Sequence, residues 1–218
     1  MRIALLGKGK TGSQILELAP EAVVFDRTNK PTAEKLKDFD VVISFLPGDA
    51  FLELIPELMA SGRPVVTGST GFNWPDKIDL KLIDKKLTWI YASNFSLGIV
   101  AMKQLIARFN KLCHLFPEKK LSIHEVHHTK KVDAPSGTAL SMKEWLGQEV
   151  EVTSDRTGDV VGLHTLTLET PSEIIRLEHE AKNRMLFAEG ALWAAREIKN
   201  VKPGLHSFQS VVETHLSL

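Results

Sequence analysis

Cysteine is nearly absent from this sequence. Cys113 stands alone, so no internal disulfide can form, and a single thiol among apolar neighbours reads as small core filling in a chain compatible with a reducing compartment. An excess of either charge is missing too: 27 Lys and Arg meet 27 Asp and Glu. That balance removes the global positive field a nucleic-acid partner would need. No apolar run has the length of a membrane span, and Met1-Arg2-Ile3-Ala4-Leu5-Leu6 reaches Gly7 without the apolar core of a secretion signal. These absences predict a soluble, cytoplasmic protein with neither a nucleic-acid nor a membrane partner. Aromatic residues are few, and Trp74, Trp89, Trp145 and Trp193 are scattered, which suits burial better than a stacking platform. What the chain does have is core: 43% of its 218 residues are hydrophobic, enough to fold without disulfides or metal.

From residue 1 to about 95, short β-branched or apolar runs alternate with amphipathic stretches, the pattern of βα units building a parallel sheet. Strands are expected at Ile3 to Leu6, Val23 to Phe25, Val41 to Phe45, Pro64 to Thr67 and Thr88 to Ala92. Helical stripes lie between them at Ile15, Leu16, Leu18 and Ala19, and at Leu52, Leu54, Ile55, Leu58 and Met59. After Asn94 the character changes. Val100, Ala101, Leu105, Ile106 and Phe109 mark a helix, Ser136 to Leu146 another, and Leu121 to His127, Leu163 to Glu169 and Ile174 to Glu180 read as strands of a mixed sheet. The polar stretch from Glu149 to Gly162 reads as a loop or lid. A last helix over Ala188 to Ile198 precedes Pro203-Gly204 and a short tail, Ser207 to Leu216. The fold class is therefore α/β: a doubly wound, Rossmann-type parallel sheet plus a second α+β domain with a mixed open sheet.

Three segments carry chemistry. Gly7-Lys8-Gly9-Lys10-Thr11-Gly12 is a complete G-x-G-x-x-G placed after the first strand and before the first helix. There the glycines permit a tight turn and close approach of a pyrophosphate to helix N-terminal amides. An acid is expected at the end of the second strand, and Asp26 sits there to accept from a ribose diol. Arg27 beside it suits a 2′-phosphate, so NADH and NADPH both stay open. Gly68-Ser69-Thr70-Gly71-Phe72 and Ala92-Ser93-Asn94-Phe95 follow two further strands, where ligands of open α/β sheets lie.

In the third segment a strand ends in His127-His128, Lys130-Lys131 follows, and Pro135-Ser136-Gly137-Thr138 starts a helix whose first amides are unpaired. This is an anion site: the Gly137 and Thr138 amides and Lys131 suit a small di-acid, and either histidine suits acid catalysis near neutral pH. A metal held by His124, His127 and His128 is disfavoured, because strand side chains alternate faces and set His127 opposite the other two; no metal is expected. Arg184 is a weaker candidate for the same anion.

These residues resemble the bacterial 4-hydroxy-tetrahydrodipicolinate reductases, also called dihydrodipicolinate reductases. Glu125-Val126-His127-His128, with Lys131-Val132-Asp133-Ala134-Pro135-Ser136-Gly137-Thr138-Ala139, is similar position for position to the family's E-x-H-H-x-x-K-x-D-A-P-S-G-T-A signature. The blocks Gly68 to Phe72, Ser93 to Ser96, and Asn183-Arg184-Met185 with Phe187-Ala188 and Gly190-Ala191 follow in the family's order. The resemblance implies NADH- or NADPH-dependent reduction of a cyclic 4-hydroxy di-acid to tetrahydrodipicolinate, with loss of water, in lysine and diaminopimelate biosynthesis. It implies His127 as the acid–base residue, Lys131 as a proton donor and substrate contact, and His128, Gly137 and Thr138 as carboxylate binders. Gly7 to Gly12, Asp26, Gly68 to Thr70 and Ala92 to Phe95 would line the cofactor. A homotetramer built through the second domain's sheet is implied as well, with residues 1–95 and 185–218 as the dinucleotide-binding domain and 96–184 as the substrate-binding and oligomerisation domain. The chain departs from many members in its shorter phosphate loop, and the stretches from Asp26 to Val41 and from Glu149 to Gly162 are compressed. The first 95 residues alone also suit another Rossmann dehydrogenase of amino-acid metabolism, which the His127 to Thr138 segment argues against. The intact histidines and lysine argue against a catalytically silent nucleotide-binding regulator.

Overall fold

The computed structural model describes residues 1–216. In chain order the elements begin with β1 (Ile3–Leu6), α1 (Lys10–Leu18), β2 (Val23–Phe25), α2 (Ala33–Leu36), β3 (Val41–Ser44) and α3 (Gly48–Ser61). They continue with β4 (Val65–Thr67), α4 (Ile78–Asp84), β5 (Thr88–Tyr91), α5 (Leu97–Leu112), β6 (Lys120–His127) and α6 (Gly137–Leu146). Last come β7 (Glu151–Arg156), β8 (Gly162–Glu169), β9 (Ile174–Ala181), α7 (Met185–Glu197), β10 (Gly204–Ser207) and α8 (Phe208–Leu216). Two compact units divide the chain: Met1–Ser96 with the segment from Met185 onward, and Leu97–Arg184.

The first unit is a parallel sheet in the order β10-β5-β4-β3-β1-β2. Every residue of β1, β3 and β4 is buried, the condition of parallel strands covered on both faces, and it explains why they read as unbroken apolar runs. Phe51, Leu58, Ile78, Leu82 and Trp89 form the core on one side; α1 packs with α7. Trp89 is fully buried, whereas Trp74, Trp145 and Trp193 are half-buried. The strand order reverses between β1 and β3, and the loop after β1 therefore opens at the switch point where ligands of such sheets lie.

The tail expected at the end of the chain is structured. Gly204–Ser207 is the sixth strand, parallel to β5, with the Gly204 amide donating to the Leu87 carbonyl at 2.8 Å. Phe208, Val211 and Val212 of α8 are buried, and the Phe208 ring meets those of Phe95 and Trp193. Four residues behind Pro203, without a β-branched side chain, carry little strand signal, so only the pairing reveals it.

The second unit is a mixed sheet, β7-β6-β8-β9, in which β7 runs parallel to β6 while β8 and β9 are antiparallel. Met102, Ile106 and Phe109 of α5 and Met142 and Leu146 of α6 cover one face, over Ile123, Leu166 and Leu168, and Cys113 fills the same core. The opposite face carries Ser122, His124, Thr153, Thr165 and Glu178, by the alternation of paired strands. The loop or lid expected over Glu149 to Gly162 is corrected here: Glu151–Arg156 is an edge strand alternating exposed and half-buried residues. Its inner positions are Val152, Ser154 and Arg156, so the period is present but apolar content is not. Among the described residues, no helix is long and apolar enough to cross a membrane.

Gly190 fixes how closely α7 approaches the segment that follows β5. A Cβ there would lie 1.8 Å from the Phe95 carbonyl oxygen, a backbone atom with little freedom to yield. Gly190→Ala gains about 1 kcal/mol of helix propensity but forces overpacking that typically costs about 1–3 kcal/mol. The expected result is a lower urea midpoint with an unchanged denaturant slope.

Candidate active site

The phosphate loop is built by contacts that exclude side chains. Gly7 has φ +93°, and its amide donates to the Phe25 carbonyl at 3.3 Å. A Cβ on buried Gly12 would come within 2.1 Å of the Gly7 carbonyl oxygen, so α1 sits directly on the turn. Gly9 caps α1 without a side-chain hydrogen bond, and no cap competes for the helix's first amides. Lys8 and Lys10 are exposed and Thr11 is half-buried around them. This arrangement fits a pyrophosphate, and hence a dinucleotide.

Asp26 is exposed at the end of β2. Its Oδ1 accepts from the Thr28 hydroxyl at 2.7 Å, the Thr28 amide at 2.8 Å and the Asn29 amide at 3.0 Å, bonds that hold its carboxyl below the usual range. Arg27 is exposed beside it. After β4, Gly68 is demanded by the Phe45 ring, which a Cβ would meet at 2.2 Å; Ser69 is buried and Thr70 exposed. After β5, Ala92 and Ser93 lead to Asn94, whose Oδ1 accepts from the Ser96 amide at 2.8 Å. Phe95 is buried against Phe45 and Phe208, so its ring serves packing. All these positions follow strands of the first unit.

The second group lies within Leu97–Arg184. Alternation along β6 puts Ile123, Glu125 and His127 on the helix-covered face. Glu125 is fully buried. Its Oε1 accepts from the Ser136 amide and from Arg156 Nη2, both at 2.9 Å. Its Oε2 stands 3.2 Å from His127 Nδ1 and 3.7 Å from His164 Nε2. Ser136 is the N-cap of α6, its hydroxyl accepting from the Ala139 amide at 3.2 Å. The first backbone bond of the helix runs from Leu140 to Ser136, and the Gly137 and Thr138 amides open α6 ahead of it. His128 is half-buried with Nδ1 lacking a hydrogen-bond partner. Lys131 Nζ donates to both Asp133 oxygens, at 2.7 and 2.9 Å. Arg156 also donates to the Asp133 carbonyl, tying this loop to β7.

Burial alone would raise the Glu125 carboxyl, but hydrogen bonds from Ser136 and Arg156 prevail and hold it at about 2. Burial pushes His127 below its usual value, against the opposing pull of Glu125. Burial, with His127 close by, takes His164 down to about 4. Near neutral pH the group is thus a carboxylate between two uncharged imidazoles. Glu125, His127 and His164 bring one donor atom each within 4.8 Å of one another, a different trio from the His124, His127 and His128 weighed on sequence grounds. The Arg156 guanidinium already occupies this carboxylate, and Lys131 acts on the same histidines, so a cation meets positive charge here.

Comparison with known proteins bears on both groups. The C-terminal family model of dihydrodipicolinate reductase matches residues 98–212, and the N-terminal model matches residues 20–95. The 4-hydroxy-tetrahydrodipicolinate reductase of Bdellovibrio bacteriovorus is 32% identical over 224 residues, covering 97% of this chain and 96% of that protein. The chain belongs to the dihydrodipicolinate reductase family. The enzyme of the same name from Stenotrophomonas maltophilia is 31% identical, covering 98% of each chain. Among solved structures, a dipicolinate-bound dihydrodipicolinate reductase from Paenisporosarcina sp. TG-14 shares the fold at TM-score 0.78, with 20% identity over 95% of this chain and 97% of that one.

Within this family member, sequence reasoning brought His127, His128, Lys131, Gly137 and Thr138 to one neighbourhood and gave no role to Glu125, Arg156 or His164. Arg156 was hidden in the supposed loop. His164 left one signal: it shares a face with Leu166 and Leu168 of β8, where a lone polar residue is out of place. Arg184 is exposed at the turn after β9.

Both low values oppose acid. The unfolded chain binds protons that folded His164 refuses from about pH 6.5 down to 4, and folded Glu125 refuses its proton from about pH 4.5 down to 2, so stability falls as pH drops through these windows. Calorimetry should show Tm dropping by several degrees between pH 7 and 4, and the His164→Gln protein should lose less over that interval.

Proposed function

We propose that this chain reduces 4-hydroxy-tetrahydrodipicolinate to tetrahydrodipicolinate with loss of water, a step of lysine and diaminopimelate biosynthesis, using NADH or NADPH. Family membership along nearly the whole chain supports the activity. The observation that supports the site is the Glu125 carboxylate, which accepts from the Ser136 amide at the N-terminus of α6 and stands 3.2 Å from His127, with His128 and Lys131 on the segment between. In this reading the first unit is the dinucleotide-binding domain, and the second is the substrate-binding and oligomerisation domain.

Reduction consumes one proton as the hydroxyl departs as water; the reduced nicotinamide supplies the hydride. The chain's own residues do the rest. The Gly137 and Thr138 amides, with His128 and Lys131, hold the two ring carboxylates by charge-assisted hydrogen bonds. His127 is the acid–base group, and Lys131 adds a second proton donor at the substrate. Gly7, Lys8, Gly9, Lys10, Thr11 and Gly12 seat the pyrophosphate. Asp26 accepts from the adenosine ribose, and Arg27 suits a 2′-phosphate where NADPH is the reductant. Gly68, Ser69, Thr70, Ala92, Ser93, Asn94 and the Phe95 backbone line the rest of the dinucleotide.

The polar face of the β7-β6-β8-β9 sheet, away from α5 and α6, supports assembly as a homotetramer, which sedimentation would read directly. Neutral charge and the absence of a long apolar helix among the described residues support a cytoplasmic location.

Following NAD(P)H absorbance with enzymatically generated substrate tests the reading. His127→Ala should lower kcat about 10²- to 10⁴-fold, the usual worth of one general acid, with substrate still bound. His128→Ala and Lys131→Ala should chiefly raise KM; an effect confined to nucleotide affinity would remove them from the anion site. Arg27→Ala should weaken NADPH and leave NADH binding alone in titrations with and without pyridine-2,6-dicarboxylate.

A further inference from the structure

We infer that Glu125 is the positioning residue of this site: one buried carboxylate orients the His127 imidazole through Nδ1 and, through its other oxygen, fixes the residue that opens α6. The inference rests on the reading of His127 as the acid–base group.

The two residues are two apart on one strand, so the pleat sets their side chains on the same face. Both oxygens of Glu125 face inward. Oε1 is satisfied by the Ser136 amide and Arg156, whereas Oε2 faces the imidazoles of His127 and His164. Among the described residues neither Oε2 nor His127 Nδ1 has a hydrogen-bond partner, and the two stand 3.2 Å apart. A buried carboxylate oxygen requires a donor. The tautomer of His127 that supplies one carries its proton on Nδ1 and leaves Nε2 to exchange protons with substrate. Space at Nε2 is kept by Gly162, where a Cβ would come within 3.1 Å of that nitrogen.

The charged and titratable groups acting on His127 are Glu125 on its own strand, Lys131 and Asp133 on the following loop, Arg156 on β7 and His164 on β8. Lys131 and Arg156 disfavour the imidazolium; Glu125 and Asp133 favour it. Asp133 is exposed and engaged with Lys131. Glu125 is therefore the buried charge that favours a proton on His127. Because Ser136 hangs on the same carboxylate, the acid and the proposed carboxylate-binding amides are referenced to one atom group.

The test uses the full-length protein. Glu125→Gln keeps size and removes charge, and its amide would donate toward Nδ1, reversing the tautomer. The profile of kcat/KM against pH should lose about a unit or more from the limb that His127→Ala abolishes, moving it to lower pH, with kcat down at least about tenfold. Glu125→Gln in the His127→Ala background should cost little further, since the two act as one unit. An unmoved limb, or costs that simply add, overturns the positioning role. If His127→Ala itself leaves turnover intact, the reading of His127 falls and the inference with it. Nitrogen-15 NMR of the unaltered protein gives a result that needs no variant to fold: neutral His127 should be protonated at Nδ1, and the Nε2–H form would overturn the inference.

Discussion

One buried negative charge organises the second unit. An isolated carboxylate in a protein interior is penalised by several kcal/mol unless donors surround it. Glu125 is fully buried: the Ser136 amide and Arg156 on β7 donate to Oε1, and the imidazoles of His127 on β6 and His164 on β8 stand 3.2 and 3.7 Å from Oε2. Removing one donor leaves the charge under-compensated, so the α6 cap, the edge strand and the histidine-bearing strands are coupled through two oxygen atoms. This also gives the polar strand β7 a purpose. Its inner positions add little apolar burial, but its parallel register sets Arg156 opposite His127, where the guanidinium reaches Glu125.

The first unit solves a different problem by leaving atoms out. An anion that must approach backbone amides needs a turn without side chains, and Gly7 and Gly12 meet that need by different means. Gly7 takes a positive φ; Gly12 lets a helix rest on the preceding carbonyl. Gly68 repeats the second device against the Phe45 ring, and Gly190 against the Phe95 carbonyl. The shorter phosphate loop of this chain keeps both contacts, and its helix begins with amides unclaimed by any capping side chain.

Legibility in the sequence followed burial. Strands covered on both faces had to be apolar throughout, so β1, β3, β4 and β5 could be read without a partner in view, and the glycines between β1 and α1 announced themselves by position. The edge strands β7 and β10 carry few apolar or β-branched side chains, so hydrogen-bond pairing rather than composition defines them. The site divides the same way. His127 through Thr138 are contiguous and spoke as a motif, whereas the Glu125–Arg156 pair spans 31 residues and exists only because β7 pairs with β6 in one register. No local rule predicts such a contact; it is a consequence of tertiary structure.

The two cations near the anion site differ in availability, and exposure decides how. Lys131 and Asp133 have side chains 23% and 56% exposed, and pairs of that kind are worth about 0–1 kcal/mol. Arg156 and Glu125 are 19% and 0% exposed, and breaking a buried pair costs about 3–5 kcal/mol. An arriving di-acid can therefore displace Asp133 from Lys131 at small cost, but cannot extract Arg156 from Glu125. In the proposed reading Lys131 is the exchangeable charge that meets substrate, and Arg156 the fixed one that keeps Glu125 ionised. A site built this way holds its acid–base geometry constant while its anion-binding charge changes partners, which is what a reaction that binds and releases a dicarboxylate on every turnover requires.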